Sequence, residues 1–431
     1  MGTGPEAASE ARFALQLGSE DRDALAILVS VQGLGPITLD RLLARIGSPA
    51  AILSVANAPD GVRALVSAGE ILEAPWRSMA EAVAEAIVEA GGRRSAILDG
   101  IARLGLRVLA IGDPDYPARL MAIEIPPAVL FVRGNAQILS ADHSVAVVGT
   151  RRASEAGRRV AARIAVSLVR AGAVVVSGLA VGIDGAAHAA VITEQGPTVA
   201  FIGSGHNRLF PAVHDRLADR IVEAGGAIVS EYAPDTEPTK WTFPRRNRLI
   251  SGSADAVVIV EAGAKSGALL TGSWALEQGR DCFVVPGSID AHMSAGCLGF
   301  LRDWPGLVRV VSGIPQLLED LGLPPGAAYR APARPSKPSS SVRPPTQQAV
   351  LSGSTPDDRM VGTALLNGAV IVDEIVAVTG LTIGATLGAL TRLEAAGHVS
   401  GSHGRYRLEG SWAGREPRRL RRAPERATPA A

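Results

Sequence analysis

Residues 145–155 read VAVVGTRRASE, and these eleven residues indicate the class of fold. Four consecutive apolar residues are typical of a strand that is buried on both faces. Gly149 follows them where the backbone must turn sharply, and Ser154 lies where it can cap a following helix. A buried strand, a glycine turn and a capped helix together indicate the first unit of a parallel α/β sheet.

The same alternation of apolar runs and helical stretches continues to about residue 321. Continuous rather than alternating hydrophobic strands indicate a mostly parallel sheet. We therefore predict an α/β fold with a Rossmann-like, doubly wound, mostly parallel sheet. The predicted strands cover 145–148, 173–177, 198–202, 227–230, 256–260, 282–285 and 308–311, with helices near 155–171, 184–195, 211–224, 245–253 and 267–279.

Composition divides the 431-residue chain into further segments. The α/β domain should span 105–322, of which 105–140 form a bridge that contains an ordered turn at 113–117. We expect a disordered leader (1–20), a helical, helix-hairpin-helix or sterile-alpha-motif-like domain (21–104), a Pro/Ser-rich linker (323–358), a winged-helix domain (359–410) and an Arg-rich disordered tail (411–431).

Both flanking domains leave the kind of partner open. The Gly33-Leu34-Gly35 hairpin can present backbone amides to a DNA phosphate, or it can be a plain turn between two helices. The winged helix is predicted from helices at 361–366, 373–378 and 382–396 and a hairpin at 399–408. Its last helix carries few polar residues, so contact with protein and contact with DNA both remain open.

Charge is the second signal. The whole chain has a formal charge of +1, yet residues 240–253 read KWTFPRRNRLISGS, with four cations, two aromatics and no acid. Guanidinium groups hold phosphates bidentately, and aromatic rings among them offer surfaces on which unpaired bases stack. A solvated basic helix start is the alternative reading. Pro244 suits the first turn of a helix, where the helix dipole adds positive potential.

Several classes of protein are disfavoured. Cys282 and Cys297 belong to no Cys-x-x-Cys pair, so we expect no metal site and no cofactor. Neither a signal peptide nor a long apolar stretch is found, which predicts a soluble cytoplasmic protein without membrane contact. The turn at Gly149 is not Gly-x-Gly-x-x-Gly, so a dinucleotide site is weakly supported. Gly263 and Gly267 are too close for a Walker loop, which excludes nucleoside-triphosphate hydrolysis.

Three loops should meet at the carboxyl edge of the sheet, where open α/β folds bind ligands. The first presents Arg151, which suits a phosphate or caps carbonyls. The second holds Ser177, Gly178, Gly182, Asp184 and His188; we expect Asp184 to cap the next helix and both Asp184 and His188 to be scaffold residues rather than metal or acid–base groups. The third runs through the basic stretch, with the loop up to Gly267 closing the rim.

These loops together resemble the bacterial DNA-processing protein A family, also called Smf. The matching motifs, which span about 105–300, are Val-Gly-Thr-Arg (148–151), Ser-Gly-x-Ala-x-Gly-Ile-Asp (177–184) with His188, Phe-Pro-x-Arg-Asn-Arg-x-Ile (243–250), Val-Glu-Ala (260–262), Ser-Gly-x-Leu-x-Thr (266–271), Gly-Arg (279–280) and Val-Pro-Gly (285–287).

The resemblance implies a protein of natural transformation that binds single-stranded DNA, protects incoming strands and loads the RecA recombinase. It also implies a homodimer formed through the α/β domain and no enzymatic activity. The DNA pocket carried over by motif comprises Arg151, Lys240, Phe243, Arg245, Asn247 and Arg248, with Gly178, Gly182 and Gly267 allowing close approach of the backbone and Gly149, Ser177, Asp184 and His188 as scaffold. Arg246 is assigned to the variable position of the family.

One segment departs from the family pattern. Leu298 replaces the usual Asn, and the segment 303–305 breaks the expected Gly-Ala turn, which leaves the end of the α/β domain open. Two other functions also stay open. One is a nucleotide-processing Rossmann-like enzyme of the phosphoribohydrolase type, although its glycine-rich signature and catalytic Glu are missing. The other is a protein-interaction adaptor that acts through the winged helix.

The DNA-binding hypothesis can be tested against the structure. The arginines should line an open groove; arginines that are scattered, or locked onto carboxylates with no open groove between them, would refute it.

Overall fold

A computed structural model describes residues 18–70, 79–323, 355–367, 369–402 and 405–408. The chain divides into two compact units, Met1–Arg334 and Pro335–Ala431. The expected tail, most of the expected leader and most of the expected linker lie outside the described residues. Among the described helices, none combines the length and the apolar character needed to cross a lipid bilayer.

A nine-stranded sheet forms the centre of the first unit. Its strands are β1 (Arg107–Ala110), β2 (Val129–Gly134), β3 (Ser144–Val148), β4 (Val174–Ser177), β5 (Thr198–Phe201), β6 (Ala227–Ser230), β7 (Ala256–Ile259), β8 (Asp281–Val284) and β9 (Val308–Val310). They lie in the order β1-β2-β6-β5-β4-β3-β7-β8-β9, and every pair from β6 to β9 is parallel. The chain winds outward in both directions from β3, which confirms the predicted Rossmann-like, doubly wound fold.

Strand β3 shows why the apolar runs are continuous. Ala146 and Val148 point into the core on one face of the sheet, while Val145 and Val147 point into the core on the other. All four side chains are buried, so every position along the strand must be apolar.

The region 105–140 is more regular than the sequence predicted. It contains β1 and β2, which pair with each other in antiparallel fashion, and β2 pairs antiparallel with β6. The sequence analysis missed both strands because it followed the alternation of strand and helix, and antiparallel neighbours need no crossover helix. The expected ordered turn is present, since Tyr116 Oη donates a 2.7 Å hydrogen bond to the carbonyl of Pro127.

Helices cover both faces of the sheet. They are α7 (Ala118–Met121), α8 (Glu155–Arg170), α9 (Ile183–Thr193), α10 (Asp215–Glu223), α11 (Thr242–Gly252), α12 (Ala268–Glu277), α13 (Ala295–Asp303) and α14 (Ile314–Asp320). Ser154 caps α8 by accepting a hydrogen bond from the Gly157 amide, as the sequence predicted. The segment that differs from the family pattern, Leu298 and residues 303–305, lies in and just after α13. Leu298 is half-buried there, and the centroid of the Trp304 ring is 6.3 Å from that of Phe300.

A bundle of helices precedes the sheet. Its members are α1 (Ser19–Val29), α2 (Pro36–Ile46), α3 (Pro49–Ala56), α4 (Gly61–Gly69), α5 (Glu81–Gly92) and α6 (Arg94–Arg103). The bundle core is not separate from the sheet, because Val129 and Phe131 of β2 belong to the same cluster as Leu25 and Leu28 of α1. Arg22 adds two hydrogen bonds, of 2.8 and 2.9 Å, to the buried carboxylate of Asp113.

The second unit contains three helices and a hairpin, as predicted for a winged helix. They are α15 (Pro356–Leu366), α16 (Val372–Thr379), α17 (Ile383–Ala395), β10 (Val399–Ser402) and β11 (Arg405–Leu408). Helix α15 begins inside the expected linker, because Thr355 and Asp358 form a capping box around Pro356. On α17, Ile383 and Leu387 are exposed, while Arg392 pairs with Asp358.

Candidate nucleic-acid interface

Loops from five strands meet at the carboxyl edge of the parallel sheet. Residues after β3 and β4 lie against residues at the start of α11, which follows β6, and the loops after β5 and β7 join them. The sequence predicted this meeting of loops, and the structure shows which side chains it brings together.

An arginine lies above an aromatic pair at this edge. The guanidinium carbon of Arg151 is 5.0 Å from the centroid of the Phe243 ring. The Phe243 ring in turn is tilted by 51° against that of Phe210, with the centroids 5.4 Å apart. Phe243 is half-buried and Phe210 is 44% exposed, so the pair offers an accessible apolar surface beneath a cation.

Glycines allow the loops to approach this closely. Gly182 has φ +92°, and a Cβ there would collide with the carbonyl oxygen of Thr150 and lie 2.8 Å from that of Arg151. A Cβ on Gly203 would lie 2.8 Å from the Phe243 ring. The second loop and the loop after β5 therefore hold Arg151 and Phe243 in place through backbone contact.

Lys240 and Trp241 extend the same surface just before α11. The Lys240 ammonium lies 4.9 Å from the centroid of the Trp241 ring, and that ring is 72% exposed. Within the described residues, neither Lys240 nor Arg151 is within ion-pair distance of a carboxylate. We call the surface formed by Arg151, Phe210, Lys240, Phe243 and Arg245 the cationic mouth.

Arg248 does not face solvent. Its side chain is buried and donates hydrogen bonds of 2.7 and 3.2 Å to the two oxygens of Glu231, which is buried as well. Arg245 is exposed and lies 3.7 Å from the same carboxylate. The structure thus ties one predicted contact residue to a carboxylate and leaves the neighbouring arginine accessible.

Arg246 is the second buried cation of the basic stretch. It donates hydrogen bonds to the carbonyls of Gly178 and Phe201, which lie at the ends of neighbouring strands. Burial lowers the pKa of Arg246 to about 10, and the attraction of Asp184 opposes that shift. In the motif Phe-Pro-x-Arg-Asn-Arg at 243–248 the variable position falls on Arg245, so the assignment of Arg246 to that position is wrong.

Asp184 and Gly178 belong to this buried arrangement. The Asp184 carboxylate accepts a 3.0 Å hydrogen bond from the Gly178 amide, whereas the sequence predicted that it would cap its own helix. Burial raises the pKa of Asp184, and the charge of Arg246 counteracts this. A Cβ on Gly178 would lie 2.7 Å from both the guanidinium and the carboxylate, so only glycine fits between them.

The other residues expected as scaffold are also inside. Ser177 Oγ donates to the carbonyl of Val147, and His188 Nδ1 lies 2.9 Å from Thr198 Oγ1. Thr198 donates its proton to the carbonyl of Val175, so His188 Nδ1 carries the hydrogen of the shared bond. Burial lowers the pKa of His188 to about 3. Gly149 packs against Ile183 and the carbonyl of Glu261.

Asn247 and Gly267 meet at the rim, where the Asn247 amide donates a 3.2 Å hydrogen bond to the Gly267 carbonyl. A Cβ on Gly267 would meet nothing within 4 Å, so packing within the protein does not explain this glycine. Its backbone is exposed and accessible to a ligand.

Three acids near the mouth point inward. Glu231 holds Arg248, Asp184 accepts from Gly178, and Glu261 accepts a 2.9 Å hydrogen bond from the Ser154 amide. All three are buried. The charged residues of the mouth itself, Arg151, Lys240 and Arg245, are therefore cations, while the exposed acids Asp235 and Glu237 line the adjoining groove.

A groove of about 1300 Å³ adjoins the mouth at Arg245 and Thr242. The helical bundle supplies its other wall, which includes Val31 and Gly33 of the hairpin before α2. The charged residues that line the groove include acids as well as bases, so the groove itself is not selectively cationic.

A doubly wound α/β domain with a cationic carboxyl edge, accompanied by a winged helix, defines the class of DNA-processing proteins. The family model of DNA recombination-mediator protein A matches residues 107–321, and that of the DprA winged helix domain matches residues 334–405. The chain belongs to this family, which is named DprA or Smf.

Relatives from several bacteria support the assignment. A DprA protein of Mycobacterium tuberculosis strain CDC 1551 / Oshkosh is 36% identical over 330 residues, covering 74% of this chain and 80% of that protein. The DNA processing protein DprA of Bacillus subtilis strain 168 is 40% identical over 198 residues, covering 46% of this chain and 66%, just under two thirds, of that protein. The X-ray structure of DNA processing protein A from Streptococcus pneumoniae is 30% identical, with a TM-score of 0.54, over 68% of this chain and 95% of that chain.

Three residues of this edge were missed by the sequence analysis as parts of the site. Phe210 lay beside a predicted helix that began at 211, and Glu231 and Glu261 were read only as members of their loops. A lone aromatic in a loop carries little signal, and neither carboxylate pairs with a residue of its own loop. Glu231 pairs with Arg248, 17 residues away, and Glu261 with Ser154, 107 residues away.

Proposed function

We propose that this protein binds single-stranded DNA without regard to sequence, and that the cationic mouth is the binding surface. The observation that carries the proposal is Arg151 over the ring of Phe243, which packs against the exposed Phe210. A phosphate bound to the guanidinium would bring the attached base to the aromatic surface beside it. Membership in a family of DNA-processing proteins supports nucleic acid as the ligand.

The arrangement favours a single strand over a duplex. A base can stack on an aromatic ring only if its faces are free. In a duplex each base is already stacked between its neighbours, so it cannot reach the ring. Stacking and phosphate contacts do not distinguish one base from another, so binding should tolerate any sequence. Lys240 and Arg245 would hold further phosphates, and Trp241, at 72% exposure, would offer a second stacking surface.

The remaining residues carried over from the family divide into two roles. Asn247 and the exposed Gly267 backbone would contact the strand at the rim. Arg248, Gly178 and Gly182 would act indirectly, because their partners are Glu231, the Arg246–Asp184 arrangement and the Arg151 loop. Arg246 would position the ends of β4 and β5 rather than touch DNA.

In the cell, we propose that the protein is cytoplasmic, protects incoming strands in natural transformation and loads RecA onto them, acting by binding rather than by catalysis. The name of its family, recombination mediator, supports loading. A homodimer through the α/β domain is supported by three exposed apolar side chains beside and on β9, the last strand of the sheet: Trp304, Leu307 and Val310.

Titration of labelled oligo-dT and of a duplex of equal length, followed by fluorescence anisotropy, tests the binding proposal. We expect tighter binding to the single strand and little difference among oligonucleotide sequences. Equal affinity for the duplex would refute the stacking argument. Loading is tested by the rate of RecA filament formation with and without the protein, and release of free base from nucleoside monophosphates would reveal the alternative enzymatic activity.

A further inference from the structure

Doubly wound folds have a preferred phosphate site. It lies where the strand order reverses, at the turn between the first strand and its helix, and the helix N-terminus faces the anion. In this protein the reversal falls between β3 and β7, and the helix is α8. The site is therefore bounded by the turn at Gly149 and by the residues that follow β7.

An acidic side chain of the protein already fills this position. Glu261 Oε2 accepts a 2.9 Å hydrogen bond from the Ser154 amide and a 3.2 Å hydrogen bond from Ser154 Oγ. The Glu261 backbone is fixed as well, because its carbonyl accepts a 2.7 Å hydrogen bond from the Thr150 amide. The carboxylate thus lies at the N-terminus of α8, where negative charge is favoured.

A glycine leaves the space that this carboxylate occupies. A Cβ on Gly157 would overlap Glu261 Oε2, so the first turn of α8 has no side chain where the carboxylate lies. In dinucleotide-binding folds, glycines let the backbone approach the pyrophosphate. Here the same kind of space is occupied by a glutamate from the neighbouring strand's loop, and that glutamate is 9% exposed.

We propose that Glu261 is an internal anion that closes the phosphate site of the fold to free nucleotides, and so determines specificity for a polynucleotide. A nucleotide phosphate would have to displace the carboxylate and would be repelled by its charge. Exclusion of free nucleotides follows from this arrangement alone, whereas the preference for a strand held at the cationic mouth rests on the proposed function.

The test measures binding of deoxythymidine 5′-monophosphate at constant ionic strength by calorimetry. We expect no saturable binding to the wild type up to the highest concentration titrated, and saturable binding in Glu261→Ala with a Kd at least about tenfold below that concentration, because the freed amides can then donate to a phosphate. In the double variant Gly157→Ala/Glu261→Ala the added methyl group refills the vacated space, and the gained binding should disappear.

Three results would overturn the proposal: saturable wild-type binding, no gain in a folded Glu261→Ala variant, or equal binding by the double variant, which would place the nucleotide elsewhere. If Glu261→Ala does not fold, Glu261→Gln replaces it, since its side-chain oxygen can still accept from the Ser154 amide while the repelling charge is gone, and nucleotide binding should then rise above that of the wild type. Oligo-dT is titrated in parallel. Absence of oligo-dT binding by the wild type would refute the proposed function. The nucleotide binding of the variants would still test the role of Glu261.

Discussion

The salt dependence of strand binding gives the sharpest test of the mouth. The structure removes Arg248 and Arg246 from solvent and leaves three exposed cations there, Arg151, Lys240 and Arg245. Each phosphate neutralised on a single strand contributes about −0.7 to the slope of log Kobs against log salt. Three contacts predict a slope of about −2, and Arg151→Ala should reduce it to about −1.4.

These slopes correspond to measurable affinities. Between about 50 and 200 mM salt, wild-type affinity for oligo-dT should fall about 18-fold, and that of Arg151→Ala about 7-fold. Fluorescence anisotropy at four salt concentrations measures both. Arg163→Ala is the matched control, because Arg163 is an exposed arginine of α8 away from the mouth and its removal changes the net charge equally. Equal slopes for wild type and Arg151→Ala, or equal losses in the two variants, would refute the reasoning.

Three further outcomes follow from named contacts. Phe210→Ala should weaken oligo-dT binding by roughly 1–3 kcal/mol without changing the salt slope, since it removes stacking area beside Phe243 but no charge; a changed slope would contradict this. Arg248→Ala should lower the free energy of unfolding by roughly 3–5 kcal/mol in urea denaturation, because buried Glu231 loses both of its close hydrogen bonds and keeps only the 3.7 Å contact with the exposed Arg245, and Glu231→Gln/Arg248→Met should recover part of it. Because the folded-state pKa of His188, about 3, lies below its unfolded value near 6.5, stability is intact above pH 6.5 and is lost as the pH falls toward 3. Between pH 7 and 5 the loss from this one group is about 2 kcal/mol, and His188→Leu should remove that part of the pH dependence of the urea midpoint.

The sequence predicted the parallel part of the sheet well because its signal is local. Each strand is a short apolar run with a turn after it, and Ser154 lies within one turn of the amide that it caps. The strands β1 and β2 were missed because the β2 run lacks a following helix, and their place in the sheet depends on pairing with β6.

The division of labour among the cations could not be predicted. The sequence does not distinguish the four cations Lys240, Arg245, Arg246 and Arg248 from one another. In the structure, α11 turns Arg246 and Arg248 inward and Arg245 outward. Whether an arginine faces solvent here depends on Glu231, on Asp184 and on two strand-end carbonyls, none of which is adjacent to it in sequence. The residue positions of the mouth follow from motifs, while the accessible charge follows only from tertiary contacts.

The apolar cluster that joins the helical bundle to β1 and β2 has a practical consequence for dissecting this molecule. A fragment that starts at residue 105 would leave Val129 and Phe131 without the helices that cover them. It would also leave the buried Asp113 carboxylate without its partner Arg22. Uncovered apolar faces of this kind promote self-association. Aggregation of such a fragment would therefore result from the loss of packing between the bundle and the sheet. A loss of DNA binding that accompanied the aggregation should not be taken as evidence that the bundle itself binds DNA.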